Sequence, residues 1–172
     1  MTHSMKYILS AILFAFPLMA YGQLAPDKIH IGGGAGITFP SRNFQDTHNT
    51  GYLFQAVDEM KISGLFSIAG HLGLYQFPGD EISGTNDVGE TIIVSYNNAN
   101  VFVLTQGARV HFDNVIFGLE AGAFVGNEIS DDISLFPMAG IQIGNFQVDA
   151  RYKLTGSFDW FTLSASYYLF EF

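Results

Sequence analysis

Ten side chains in this 172-residue sequence are the candidates for acid–base or metal chemistry. His30, His71 and His111 carry imidazoles, Glu59, Glu120 and Asp149 carboxylates, and Lys61, Arg109, Arg151 and Lys153 cations. Their spacing argues against a reaction. No two of these histidines stand at i, i+2 or i, i+4, the separations that aim a ligand pair at one metal. Gly32-Gly33-Gly34 is not followed by a helix and so is not a phosphate loop. A hydrolase acting on lipid would need a histidine with Ser or carboxylate near an outer rim, and alternation places none there. The sequence therefore predicts no catalytic residue, no metal and no cofactor. It predicts instead a network of paired charges and amides: Glu59, Lys61, Arg109, Glu120, Gln142, Gln147, Asp149, Arg151 and Lys153. The three histidines are expected to be hydrogen-bonded groups in the same interior.

Such a network needs elements that aim all its members one way, and the pattern that does so has a period of two. Phe102, Leu104, Ala108, Val110 and Phe112 alternate with Thr105, Gly107, Arg109 and His111. Val115 to Val125 repeats this, with Gly118, Glu120 and Gly122 on the second face. Leu135 to Ile143 alternates with Gly140 and Gln142, and Phe146 to Leu154 with Gln147, Asp149, Arg151 and Lys153. Strands with one greasy and one polar or glycine face are the reading. Weaker examples run over residues 29–39, 51–62, 65–77 and 160–170, which makes eight strands.

Connections alternate in length. Ser63-Gly64, Asp113-Asn114 and Gly144-Asn145 are tight, whereas residues 40–50 and 78–99 are long and 127–132 and 155–159 intermediate. The turn at 113–114 pairs Gly107 with Glu120 and sets Arg109 diagonal to that carboxylate; the turn at 144–145 sets Gln142 opposite Gln147. This is the layout of an all-β, eight-stranded, antiparallel up-and-down transmembrane β-barrel with short turns at one end and loops at the other.

The face assignment follows from composition. Charges mixed with many glycines suit the crowded middle of a narrow barrel. The bulky, nearly charge-free set suits acyl chains, where a charge costs about 2–4 kcal/mol at mid-bilayer. Phe112 and Phe146 at the turns, and Phe39, Tyr52, Phe124, Trp160 and Phe161 near the loops, are expected to form two aromatic girdles. Asp58 falls on the lipid face, which predicts a bulge near Asp58-Glu59 that turns it inward or to the rim. The inverse arrangement, a water-soluble lipocalin-like ligand binder, is the alternative.

Lys6, the apolar run Tyr7 to Met19 and the small-x-small site Ala20-Tyr21-Gly22 read as an export signal over residues 1–22, cleaved before Gln23. The run is too short for the roughly 20 residues of a spanning helix. Residues 23–172 are then the barrel domain. That part holds six Lys/Arg against 16 Asp/Glu, which argues against nucleic acid as a partner. With no Cys, stability rests on packing and hydrogen bonds. The loop acids Asp80, Glu81, Asp87, Glu90, Glu128, Asp131 and Asp132 read as solvated; bridging divalent cations to lipopolysaccharide is their alternative role. Thr91 to Tyr96 is β-prone and is expected to extend a strand beyond the membrane, so that loop 78–99 offers an edge to a surface partner.

On these features the chain resembles the small OmpA-type and OmpX-type eight-stranded outer-membrane barrels, including the short ones of Bacteroidota. The resemblance is architectural. It implies a bacterial outer-membrane location, monomers in contact with outer-membrane lipid and lipopolysaccharide, and a C-terminal aromatic read by the barrel-assembly machinery. Ser166-Tyr167-Tyr168-Leu169-Phe170-Glu171-Phe172 matches that signal, with Phe170 or Phe172 as the residue read and a register slip near the end. Members of the family are adhesins, envelope-stabilising proteins, lipid-modifying enzymes or narrow pores. The expected role is structural or surface-interacting and not enzymatic; a narrow channel for ions or small solutes is the alternative.

Overall fold

The computed structural model describes residues 28–85, 89–127, 132–154 and 158–172. The export signal and the loop acids Asp87, Glu128 and Asp131 lie outside the described residues.

Alternation becomes strand because a pleated backbone sends successive side chains to opposite faces. Among the described residues ten strands form: β1 (Lys28–Ser41), β2 (Gly51–Lys61), β3 (Phe66–Phe77), β4 (Glu81–Thr85), β5 (Thr91–Ser95), β6 (Ala99–Phe112), β7 (Val115–Gly126), β8 (Asp132–Ile143), β9 (Phe146–Tyr152) and β10 (Asp159–Glu171). Eight of them close into an antiparallel barrel in the order β1-β10-β9-β8-β7-β6-β3-β2. Tight turns fix the register. Asp113 and Gly144 take positive φ, 53° and 58°, as the twist of a two-residue hairpin requires. The pairs Gly107↔Glu120 and Gln142↔Gln147 follow from those turns.

The alternate faces separate as hydrocarbon outside requires. Phe54, Phe102, Leu119 and Leu163 are 63%, 59%, 52% and 46% exposed, while Glu59, Arg109 and Glu120 are completely buried. Closure leaves the barrel no unpaired edge, the condition for a sheet in lipid. The chain thus builds a transmembrane barrel that crosses with strands.

Four expectations are corrected. Thr91–Ser95 does not extend a barrel strand but pairs with Glu81–Thr85 in a separate two-stranded hairpin outside the closed sheet. Asp58 is not turned inward by a bulge: its register with Ile31 and with Gly70 is unbroken, so it stays on the outer face between buried Val57 and Glu59. Trp160 and Phe124 do not join a girdle; they are 1% and 3% exposed, inside the barrel. Nor is the interior polar throughout, since its loop-end half is aromatic. The parity of β10 put Trp160 inside with Thr162 and Ser164, and its size had suggested an interface.

At the end of β10 the register shifts between Ile31 and Gly32. Ile31 faces Phe170 and Gly32 faces Tyr168, so Leu169 has no partner on β1. Leu169 and Phe170 are both exposed as a result. The rings of Phe170 and Phe172 stack at 6.3 Å beyond that shift.

Candidate functional site

The interior is built in two halves. Towards the turns, strands β2, β3, β6, β7, β9 and β10 each contribute polar side chains that meet across the lumen. Glu120 is the hub. Arg109 Nη2 donates to its Oε1 at 2.8 Å, the Thr105 hydroxyl donates to its Oε2 at 2.6 Å, and His71 Nδ1 lies 2.9 Å from the same Oε2. His71 Nε2 is 3.3 Å from the Tyr75 hydroxyl. Arg109 Nη1 reaches Gln147 Oε1 and the Tyr168 hydroxyl, each at 3.3 Å. Gly118 leaves room for the aliphatic stem of Arg109, because a Cβ there would sit 3.0 Å from Arg109 Cγ and 2.9 Å from Met138 Cγ.

A second set joins β2, β9 and β10. Arg151 Nε lies 2.8 Å from Asp149 Oδ1, and its Nη1 donates to Gln55 Oε1 at 3.0 Å. Gln55 Nε2 donates to Ser166 at 2.9 Å and Ser164 at 3.2 Å, and Ser164 donates on to Asp149 Oδ1 at 3.0 Å. Gln147 Nε2 donates to Asp149 Oδ2 at 2.8 Å and so ties this set to Arg109. Nearer the turns, Glu59 Oε1 accepts from Ser67 at 2.7 Å and lies 2.8 Å from His111 Nε2. His30 is 3.7 Å from Glu59 and 3.3 Å from Glu171.

Charges this deep must be matched, and the geometry matches them. Arg109, Glu120, Gln147, Asp149 and Arg151 are joined by hydrogen bonds and ion pairs, and Glu59 sits nearer the turns with Ser67 and His111. Three other expected members are not brought together with these. Lys61 is half-buried at the turn end, where it lines a cavity of about 390 Å³ with Lys28, His30 and Glu171. Lys153 lies at the loop end, donating to Phe158 O at 2.6 Å with its ammonium 4.5 Å from the Phe124 ring centre. Gln142 is buried opposite Gln147, but its amide nitrogen makes no hydrogen bond among the described residues. Strand parity set their face and not their height, and height separates Lys61 and Lys153 from the rest.

Towards the loops the lumen is greasy. A short 3-10 helix, Arg42–Phe44, drops Phe44 onto Phe77 (4.8 Å), Phe158 (5.4 Å) and Trp160 (6.5 Å). Trp160 also meets Tyr75, Phe77, Phe124 and Phe136. Arg42 Nη1 pairs with buried Asp159 at 2.9 Å and straps the helix to β10. Phe44 had no signal in the sequence, because a lone Phe in a polar loop has no periodicity. Gln55, Ser164, Ser166 and Thr105 could have been found, since all lie on the inward parity.

Among the described residues no group of three His, Cys, Asp or Glu is arranged to hold a metal. The arrangement ties six strands together across the lumen.

No family model matches this chain, and no curated protein sequence matches it. Among solved structures it is similar to a de novo designed transmembrane beta-barrel, at 9% identity and a TM-score of 0.49, over 80% of this chain and 93% of that one. It is also similar to Ail, the attachment invasion locus protein of Yersinia pestis, at 15% identity and a TM-score of 0.48, over 84% of this chain and 98% of that one.

Proposed function

We propose that this protein is a bacterial outer-membrane barrel with a plugged lumen, and that it serves as an envelope or adhesive protein through its loop-end hairpin. The observation that carries this reading is hairpin β4–β5. All of its strand residues are exposed, and Ile82, Ile92, Ile93 and Val94 are 40–63% exposed on an element that leaves the closed sheet. Apolar side chains and two free strand edges held outside a barrel are a template for a partner strand. The ionic half and the aromatic half of the interior support a closed lumen, which favours this role over a channel. The N-terminal sequence pattern read as an export signal and the C-terminal aromatics support the location.

Two measurements test it. Purified protein in planar bilayers is expected to give a silent baseline, and steady channels would defeat the plugged reading in favour of a narrow pore. Cells producing a variant with residues 81–95 replaced by a two-residue turn are expected to lose attachment to protein-coated surfaces. Equal attachment by both forms, with both in the outer-membrane fraction, would remove the hairpin from the function.

A further inference from the structure

Among the described residues, and below the loop-end pair Gln76 and Asn100, the wall around β2, β3 and β6 has one polar interruption. Asp58 on β2, Gly70 on β3 and Gln106 on β6 are direct cross-strand partners, Asp58↔Gly70 and Gly70↔Gln106. They share the outward parity of Leu72, Leu74 and Phe102, which lie towards the loops, and of Phe66 and Phe112, which lie towards the turns. The two polar ends converge: Asp58 Oδ1 and Gln106 Oε1 each lie 3.3 Å from where a Cβ on Gly70 would sit. Among the described residues neither is hydrogen-bonded to another side chain, the Asp58 carboxylate accepting only from its own backbone amide, and no Lys or Arg faces outward within the spanning strands. A carboxylate held against acyl chains is expensive, and ionisable groups inside a membrane usually mark a contact or a pathway.

We infer that this face is an interface between two copies of the chain, packed wall to wall over Gly70. Both copies must point the same way across the membrane, so the two-fold axis runs along the membrane normal. An axis passing through Gly70 then brings Asp58 of one copy to Gln106 of the other, and the reverse. The acceptor carboxylate meets the donor amide twice. The face is therefore self-complementary, which a cationic partner would not require. Small residues let the walls approach: next to the polar pair, Gly70, Ala56, Ala108 and Ala121 leave the outward surface low. Close approach over small residues with reciprocal hydrogen bonds is how membrane segments associate when lipid gives no hydrophobic drive.

The chain has no cysteine, so single cysteines report the contact directly. Leu72→Cys lies beside the notch, and Val148→Cys lies on β9, across the barrel from β3. With the purified full chain in phospholipid vesicles, oxidation is expected to link Leu72→Cys into dimers and leave Val148→Cys monomeric. Adding Gln106→Leu should weaken association roughly tenfold, the scale of losing two membrane hydrogen bonds. Asp58→Leu should do the same, and unchanged heat-modifiability on gels verifies that each variant is folded. Failure of Leu72→Cys to link at any protein-to-lipid ratio overturns the proposal, as does linking that is indifferent to Gln106→Leu or equal at Val148→Cys.

Discussion

Replacing Glu120 by Ala should be among the most damaging single changes in the barrel wall. The carboxylate accepts from Arg109 at 2.8 Å and Thr105 at 2.6 Å, with His71 at 2.9 Å, and it is completely buried. Without it Arg109, also completely buried, retains only Gln147 and Tyr168, at 3.3 Å each. Removing one partner of a buried pair costs about 3–5 kcal/mol, mostly because a charge is left unmatched. Summing three charge-assisted bonds at roughly 1.5–3 kcal/mol each would overshoot, because the donors relax towards other acceptors. Removing both charges, Arg109→Met with Glu120→Leu, should cost only about 1–2 kcal/mol, since no orphan ion remains. The double mutant is thus expected to be more stable than Glu120→Ala. Urea unfolding from lipid vesicles measures this, with Trp160, the single tryptophan and 1% exposed, as the fluorescent probe. A single-mutant loss below about 1 kcal/mol, or a double mutant no better than the single, would refute the claim that the interior is held by charge matching.

Other outcomes follow from the same geometry. Phe44→Ala, which empties the site over Phe77 and Phe158, should cost about 3–5 kcal/mol by unfolding in vesicles, with Trp160 emission shifted to the red. Leu163→Arg on the outer wall should cost about 2–4 kcal/mol in the same titration, whereas Ser164→Ala, one residue away and inside, should cost about 1 kcal/mol through lost hydrogen bonds. Gly144→Ala, at a φ of 58°, should lose about 1–2 kcal/mol, while Gly64→Ala, with nothing within 4 Å of its Cβ, should be close to neutral. Phe172→Ala, which keeps the two backbone hydrogen bonds between residue 172 and Ile29, should slow barrel assembly in cells, read as accumulation of the unfolded band on unheated gels, with little change in the stability of chains that do fold.

Much of the architecture was legible because its causes are local. A period of two sends greasy and polar residues to opposite faces whatever the chain does elsewhere, so the segment Phe146 to Tyr152 declared its own orientation. Tight turns transmit register by counting alone, which is why the two-residue turn at Asp113-Asn114 is enough to set Arg109 beside Glu120. Lys61 and Lys153 show the limit of that reasoning. Parity names the face of a strand, but the height at which a side chain meets the others depends on barrel stagger, which is a property of closure.

Composition and alternation by themselves determined the barrel, its strand count, which face meets lipid and which ionic residues share the lumen, because each is a consequence of backbone geometry repeated along a strand. Only the tertiary structure decided that Phe44, from a loop, fills the loop end over Trp160, that Gly70 and Gln106 stand beside Asp58, and at what height each ionic side chain meets the others. Each depends on which distant strands arrive at the same place. Such arrivals are set by closure of the whole sheet, and no local spacing encodes them.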